Sequence, residues 1–174
     1  MENTWRLATI GLGGNLGQPN LTLHQALTRL QAEPEIRLLK HSDFWRTKPV
    51  KAEGPDFCNA VALVDTSLSA GALLDRLLAI ETEFGRQRST RNAPRTLDLD
   101  LISMDGVCVS SSQLTVPHPR AHERAFVLVP LCQVAPESLL GQPPAAPLLA
   151  ADHWRECLSG QAVDEIRPWE NSSD

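Results

Sequence analysis

Hydrophobic and polar residues alternate strictly in one segment near the middle of the chain, and this alternation predicts a β-strand. Leu97, Leu99 and Leu101 alternate there with Asp98 and Asp100. Successive side chains of a strand point to opposite sides, so the leucines occupy one face and the carboxylates the other. At about 3.3 Å per residue, the two aspartate Cα atoms lie about 7 Å apart on the same side. The segment therefore predicts a paired-carboxylate face opposite a buried one.

Two carboxylates this close suggest a site for a cation. They raise each other's affinity for protons unless a cation relieves the repulsion. Oxygen ligands alone suit Mg²⁺, which usually keeps waters and substrate phosphates as its remaining ligands. Arg95, three residues before Asp98, adds an anion-binding group. The alternative for the two aspartates by themselves is an edge strand with a solvated outer face.

Similar patterns predict strands and helices on both sides of this segment. Short apolar runs are typical of buried strands, and apolar residues three or four positions apart are typical of amphipathic helices. Capping residues, prolines and glycines mark the helix ends. The Asp105-Gly106 pair predicts a hairpin in which residues 107–109 return along the central strand. The other predicted elements are strands at 7–10, 36–45 and 60–64, a helix opened by Pro19 and ended before Pro34, a helix from Ser69 to about Phe84, and a helix near 149–158.

A glycine-rich run, Gly11-Leu12-Gly13-Gly14-Asn15-Leu16-Gly17, follows the first predicted strand. A dinucleotide-binding fingerprint would need glycine in place of Leu16, and no phosphate-binding Gly-Lys-Ser/Thr follows. We therefore expect these glycines to form a tight turn between a strand and a helix.

The most basic segment of the chain lies between the second predicted helix and the central strand. A loop with this composition could close over phosphate, and the alternative is a solvated loop. Glu81 falls on the apolar stripe of the preceding helix, where a carboxylate needs a partner, and the arginines could supply one. The segment contains Arg86, Arg88, Arg91 and Arg95.

Two further groups are candidates for ligand contacts. Phe57 and Asn59 share one face, and an aromatic ring beside a carboxamide can hold a flat heterocycle by stacking and hydrogen bonds. The alternative is a core aromatic residue and a turn asparagine. His118 lies between two prolines, and this rigid placement suits a phosphate or metal contact, although a loop histidine is usually a polar surface residue.

Composition narrows the class of protein. The 174 residues suit one domain, 1–174, and the net charge of −5 argues against a general nucleic-acid or anionic-membrane surface. The four cysteines have no metal-site spacing, which favours reduced thiols. No signal-peptide pattern and no apolar run of about 18 residues is found. We expect a soluble, cytoplasmic protein that binds neither nucleic acid nor membrane, and we expect a monomer.

Taken in order, the segments resemble the 6-hydroxymethyl-7,8-dihydropterin pyrophosphokinase family, enzymes of folate synthesis. The resemblance runs from about residue 7 to 136, and Pro94-Arg95-Thr96-Leu97-Asp98-Leu99-Asp100 is its most specific part. Residues 141–174 add nothing to it and form a C-terminal extension. Gly14 and Gln113 depart from the family pattern, which more often has serine and arginine there. The other matching motifs are Gly13–Gly17, Phe44–Thr47, Phe57–Ala60, Glu81 with Gly85-Arg86, Val116–Arg120 and Arg124–Leu128.

The resemblance implies an α+β fold of three α/β/α layers, with a ferredoxin-like core and a mixed, mostly antiparallel sheet. It also implies transfer of the β,γ-diphosphate of ATP to the hydroxymethyl oxygen of the pterin, giving AMP. Asp98 and Asp100 would hold two Mg²⁺ ions, while Arg86 and Arg95 would grip the phosphates. The implied pterin-binding residues are Thr47, Val50, Phe57, Asn59 and Phe126, and the implied nucleotide-binding residues are Glu81, Arg88, Arg95, Ile102, Thr115, His118 and Arg124.

Two other functions stay open on the sequence alone. A two-metal phosphodiesterase or nuclease would use the same aspartates, although such sites usually recruit further histidine or acidic ligands. A non-catalytic pterin- or nucleotide-binding protein would retain the same site without turnover. Formation of AMP that depends on pterin separates the three.

Overall fold

The computed structural model describes residues 4–49, 54–85, 94–141, 143, 146–158 and 165–170. Its helices are α1 (Pro19–Gln31), α2 (Ala70–Glu83), α3 (Ala125–Val134) and α4 (Ala151–Glu156), with a short 3₁₀ helix at Ala121–Glu123. Its strands are β1 (Arg6–Gly14), β2 (Ile36–His41), β3 (Trp45–Thr47), β4 (Phe57–Thr66), β5 (Asp98–Met104), β6 (Val109–Ser110), β7 (Thr115–Val116), β8 (Leu139–Leu140), β9 (Leu149–Ala150) and β10 (Arg167–Pro168).

The main sheet has the strand order β10-β3-β4-β1-β5, and β2 also pairs with β4. All pairings between the described strands of this sheet are antiparallel. β2 and β3 follow each other along the same side of β4, while β1 occupies the other side. The carboxylate strand β5 therefore lies at the end of this order, next to β1.

Helices cover both faces of the sheet and make three layers. On one face, α1 and α2 bury side chains such as Leu27 and Leu77 against β1, β4 and β5. On the other face, α3 buries Leu128 and Leu131 in a second core. This arrangement confirms the predicted α+β class. None of the described helices is both long and apolar enough to cross a bilayer.

Local sequence explains where the two longer helices begin and end. Pro19 occupies the first turn of α1, where its missing N–H removes no helical hydrogen bond. Ser69 Oγ accepts a hydrogen bond from the Ala72 N–H at 3.2 Å and caps α2. Gly85 follows α2 with φ +77°, a left-handed conformation that glycine adopts without strain. Both helices therefore agree with the sequence prediction.

Two predicted elements were wrong in detail. The predicted strand 36–45 is interrupted, because Ser42 N–H donates to Val61 O while Ser42 Oγ accepts the Val61 N–H at 2.9 Å. The predicted return strand 107–109 does not pair with β5. Instead, Val107 N–H bonds to Met104 O in a turn, and β6 pairs with β7.

The prediction for the glycine run was wrong for every glycine except Gly17. β1 continues through Gly14, so Gly11 and Gly13 are strand residues and not part of a turn. The turn follows them, with φ +64° at Gly17. These glycines therefore belong to the surface of the sheet beside the carboxylates.

The C-terminal extension contacts the sheet through β10. Trp169 N–H donates to Phe44 O at 2.8 Å, beside the antiparallel pairing of β10 with β3. The Arg46 guanidinium lies 4.4 Å from the centre of the Trp169 ring, within the range of a cation–π contact. The tail thus covers the side of β3 that faces away from β4.

Candidate active site

Three strands place an amide, a glycine and a carboxylate in one row where β1 ends. Gly13 pairs with Asn59 of β4 on one side and with Asp98 of β5 on the other. Neighbouring strands lie about 4.8 Å apart, so the backbones of Asn59 and Asp98 are about 10 Å apart. A Cβ at Gly13 would lie 3.1 Å from Asn59 Oδ1. The missing side chain therefore leaves the sheet surface open between the amide and the carboxylate.

This row faces the α3 layer. The sequence neighbours of the three residues are buried in the core beneath α1 and α2, and strand side chains alternate. One row along, Gly11 pairs with Asp100 on the same face. The sequence interpretation missed Gly11 and Gly13 as site residues, and the signal for them was their spacing of two, the period of a strand.

The carboxylate pair combines one partly shielded and one exposed group. Asp98 Oδ2 accepts a hydrogen bond from Arg95 Nη1 at 2.9 Å, and both side chains are about one-quarter exposed. Asp100 is exposed on the same face two residues later. The structure thus brings together Arg95, Asp98 and Asp100 as predicted, with an arginine beside the acidic pair.

Glu81 is buried behind this strand. Its side chain is 2% exposed on α2, and its Oε1 accepts the Leu99 N–H at 2.6 Å. The sequence interpretation paired this carboxylate with an arginine of the following loop, whereas one partner in the described structure is a main-chain group. Since Leu99 separates the two aspartates, Glu81 fixes the strand at the point where the carboxylates project.

His118 lies next to the same strand and is neutral at pH 7. Its N–H donates to Ile102 O at 2.7 Å, and the Arg120 N–H donates to its Nδ1 at 3.2 Å. Burial, helped by the charges of Arg124 and Arg120, lowers the pKa of His118 to about 4. With Nδ1 accepting, the proton of the neutral ring is on Nε2, so His118 offers an N–H donor.

Arg124 and Phe126 flank the start of α3. The Arg124 guanidinium lies 5.6 Å from the centre of the Phe126 ring. Burial and the neighbouring Arg120 lower the pKa of Arg124, while Asp100 and Asp98 oppose this shift. Arg124 thus interacts electrostatically with both carboxylates.

The opposite end of the row carries the groups predicted to bind a heterocycle. Asn59 Nδ2 donates to Thr47 Oγ1 at 2.7 Å, and both side chains are buried. This bond leaves Asn59 Oδ1 oriented toward Gly13. Phe57 begins β4 on the same face and is half-buried, and α3 packs against β4 and β3. Phe57 and Phe126 therefore belong to the two layers that meet here.

The remaining predicted residues fall into two groups. Thr115 is half-buried in β7, three residues before His118. The Ile102 side chain is buried beneath α3, where its Cδ1 lies 3.2 Å from the position of a Cβ at Gly11, and its carbonyl accepts the His118 main-chain N–H. Val50, Arg86 and Arg88 lie outside the described residues, as does Arg91.

A cavity of about 640 Å³ opens between the first half of α2 and the β6–β7 hairpin. Leu74, Gln113 and Leu114 are among its lining residues. Leu74 lies two helical turns before Glu81, and Leu114 directly precedes Thr115. Asp98 and Asp100 do not line the cavity, but it adjoins Thr115, which is predicted to bind the nucleotide.

Fold and site together define an α+β domain in which paired carboxylates and an arginine share one sheet face with an aromatic ring and a carboxamide. The sequence model of the family described as 7,8-dihydro-6-hydroxymethylpterin-pyrophosphokinase (HPPK) matches residues 9–136. The chain therefore belongs to the HPPK family.

Relatives with assigned names agree with this placement. A 2-amino-4-hydroxy-6-hydroxymethyldihydropteridine pyrophosphokinase of Methylorubrum extorquens is 41% identical over 135 residues, covering 77% of this chain and 85% of the relative. The enzyme of the same name from Haemophilus influenzae is 41% identical over 134 residues, covering 76% and 84%.

A crystal structure of Plasmodium falciparum HPPK-DHPS with pteroate has the same fold. Its TM-score is 0.68 at 11% identity, and the match covers 90% of this chain. The chain spans 43% of the length of that protein. At this identity the likeness supports the fold alone.

Proposed function

We propose that this chain transfers the β,γ-diphosphate of ATP to 6-hydroxymethyl-7,8-dihydropterin in folate synthesis. The hydroxymethyl oxygen attacks the β-phosphorus, and the bond from that phosphorus to the α–β bridging oxygen breaks. AMP leaves with the bridging oxygen, the pterin diphosphate forms, and the hydroxyl proton is released. Family membership supports this reaction, since the named relatives are pyrophosphokinases.

The observation that carries the proposal is the row Asn59–Gly13–Asp98. It places a heterocycle-binding amide and a carboxylate about 10 Å apart on one open sheet face. A pterin ring held at Asn59 directs its hydroxymethyl group along the row toward the carboxylates. Substrate and phosphate groups then meet above the two strand glycines.

Asp98 and Asp100 are the residues that would hold Mg²⁺. Their donor set fits the metal, because two carboxylates leave coordination positions for waters and phosphate oxygens, as Mg²⁺ prefers. Among the described residues, no three histidine, cysteine or acidic side chains cluster as a metal site. When bound, Mg²⁺ supplies positive charge that stabilises the phosphate oxygens as diphosphate is transferred.

Three basic or donor side chains handle the phosphates. Arg95 lies beside Asp98 and can exchange that carboxylate for a phosphate oxygen. Arg124 adds positive charge near both aspartates. His118 donates its Nε2–H as a neutral group, so it binds phosphate oxygen without changing the charge of the site. Arg86 and Arg88 belong to the same proposal on the family resemblance.

The adenine end of ATP lies in the cavity between α2 and the β6–β7 hairpin. Leu74 and Leu114 offer apolar surface for a purine, and the Gln113 amide offers hydrogen bonds. This placement leads the nucleotide past Thr115 toward His118. The pterin ring occupies the other end, between Phe57 and Phe126, with Asn59 and Thr47 at its edge and Val50 proposed from the resemblance.

We also propose that the protein acts as a monomer in the cytoplasm. The phosphodiesterase alternative is not favoured, because it leaves the aromatic and amide groups of the pterin end without a role.

The reaction is tested by incubating the protein with ATP, Mg²⁺ and the reduced hydroxymethylpterin, and following AMP by chromatography. We expect AMP only when pterin is present, in equal amount to the pterin diphosphate. AMP release without pterin, cleavage of nucleic acid, or binding of both ligands without AMP would each overturn the proposal.

A further inference from the structure

Asn15 connects two segments that belong to opposite ends of the site. Its side chain is 3% exposed, just beyond the end of β1. Asn15 Oδ1 accepts the Arg95 N–H at 3.0 Å, and Asn15 Nδ2 donates to Pro55 O at 3.2 Å. Its own N–H donates to Arg95 O at 3.0 Å. One buried side chain thus holds the main chain on both sides of the row.

These contacts fix Arg95 in two directions. The Arg95 N–H donates to the Asn15 side chain, and the Arg95 carbonyl accepts the Asn15 main-chain N–H, so Asn15 holds both main-chain polar groups of Arg95. Its guanidinium, which bonds to Asp98, then projects from a fixed backbone. A guanidinium that stabilises the negative charge developing on the phosphates has to be held in the correct position before the reaction.

The second contact reaches the pterin end. Pro55 lies two residues before Phe57, so a hydrogen bond to its carbonyl restrains the segment that leads into β4. The contact is close: a Cβ at Gly54 would lie 3.5 Å from Asn15 Nδ2. The amide orientation satisfies both neighbours, with its oxygen on an N–H and its nitrogen on a carbonyl.

Packing of the neighbouring glycine strengthens the connection. A Cβ at Gly14 would lie 2.3 Å from Thr96 O, so the backbone of β1 touches the segment that follows Arg95. The end of β1 therefore contacts both the Arg95 segment and the Pro55 segment. A shift of either outer segment has to displace or break the bonds of Asn15.

We infer that Asn15 is a positioning residue that couples nucleotide binding to pterin binding. The inference rests on the proposed function, because Arg95 and Phe57 take their roles from it. When a phosphate group binds the Arg95 guanidinium, the Asn15 amide restrains the Pro55 segment as well. When pterin binds at Phe57, the same amide restrains the Arg95 segment. Such coupling is reciprocal, and typical values change affinity by about 5- to 150-fold.

Two substitutions separate the two bonds. Asn15→Asp keeps an oxygen for the Arg95 N–H but places another oxygen against Pro55 O, so only the pterin-side bond is lost. Asn15→Ala loses both. Thr66→Val is the matched control, because Thr66 is also fully buried and its hydroxyl also makes one donated and one accepted main-chain bond, at the far end of β4.

The experiment measures 6-hydroxymethylpterin affinity by calorimetry, with and without Mg²⁺ and the ATP analogue that has a methylene group between its α- and β-phosphates. We expect the analogue to tighten pterin binding in the parent protein and in Thr66→Val. In Asn15→Asp this enhancement should fall by about fivefold or more, while analogue affinity stays within a few-fold of the parent. In Asn15→Ala, both the enhancement of pterin binding and the affinity for the analogue should fall.

Turnover separates this inference from the proposed function. If the parent forms no AMP with pterin, the proposed function fails. The coupling role of Asn15 is overturned if the parent catalyses the reaction but the analogue does not increase its affinity for pterin. It is also overturned if Asn15→Asp keeps the full increase in affinity. An equal loss in Thr66→Val would assign the effect to general destabilisation and would also overturn it.

Discussion

The main-chain N–H of Leu99 donates a 2.6 Å hydrogen bond to the buried carboxylate of Glu81, between the two aspartates of β5. Glu81→Leu should remove this acceptor and leave the Leu99 N–H unsatisfied, at a cost of about 1–3 kcal/mol. Glu81→Gln keeps an oxygen acceptor and should be less destabilised. Urea unfolding of both variants measures the difference. Equal stability of Glu81→Leu and the parent would show that the bond contributes nothing.

Arg95 is held close to Asp98, and its loss should act mainly on turnover. A group that stabilises developing phosphate charge affects kcat more than ground-state binding. Arg95→Ala should lower kcat by about 10²-fold or more, corresponding to about 3 kcal/mol. Arg86→Ala should behave alike. Arg37→Ala is the control, since Arg37 is exposed and pairs with Asp65 at 4.0 Å at the far end of β4. If steady-state kinetics showed equal, small effects in all variants, Arg95 and Arg86 would not stabilise the phosphate charge during the reaction.

The two half-buried phenylalanines should affect one substrate selectively. Phe57→Ala and Phe126→Ala are expected to weaken pterin binding by about 1–3 kcal/mol, the range for bases that stack on aromatic rings. Affinity for the ATP analogue should change much less. Phe44→Ala serves as control, because Phe44 packs against His24 on the other face of the sheet. Calorimetry showing equal losses for both ligands would count against stacking.

His118 should make the stability of the protein depend on pH. Its folded pKa of about 4 lies below the ordinary 6.5, so the unfolded chain binds the proton first as the pH falls. The stabilisation from the neutral ring is complete above pH 6.5 and is lost progressively between 6.5 and 4. The loss should reach at most about 3 kcal/mol.

Urea unfolding at pH 7 and pH 5 checks this expectation. The parent should lose more free energy of unfolding between these values than His118→Asn does, because asparagine does not titrate. Parallel losses in both proteins would mean that His118 is not buried in its neutral form.

Local patterns predicted the strand and helix content well, because each depends on residues close in sequence. The alternation of leucine and aspartate sufficed for β5, and Ser69 and Gly85 sufficed for the ends of α2. The hairpin after β5 was wrong because two local pairings compete there, and Val107 turns back onto Met104.

The parts of the site that escaped prediction depend on register and on main-chain partners. The spacing of Gly11 and Gly13 acquires meaning only once β1 is paired with Asn59 on one side and Asp98 on the other. One partner of Glu81 in the described structure is the main-chain N–H of Leu99, which no residue type reveals. The contact from Asn15 to Pro55 joins segments 40 residues apart.

The proposed diphosphate transfer depends most directly on Asp98 and Asp100. The two variants Asp98→Asn and Asp100→Asn keep the shape of the side chain and remove its charge. Asp105→Asn is the matched control, because Asp105 is an exposed aspartate in the turn after the same strand. Circular dichroism should report folded protein for all three.

The most direct measurement is ³¹P NMR of the products formed from ATP, Mg²⁺ and the reduced pterin. The parent and Asp105→Asn should give AMP and pterin diphosphate without ADP, whereas Asp98→Asn and Asp100→Asn should give neither product. Formation of ADP by the parent would contradict diphosphate transfer. A near-parental Mg²⁺-dependent rate in Asp98→Asn or Asp100→Asn would contradict the role of these aspartates.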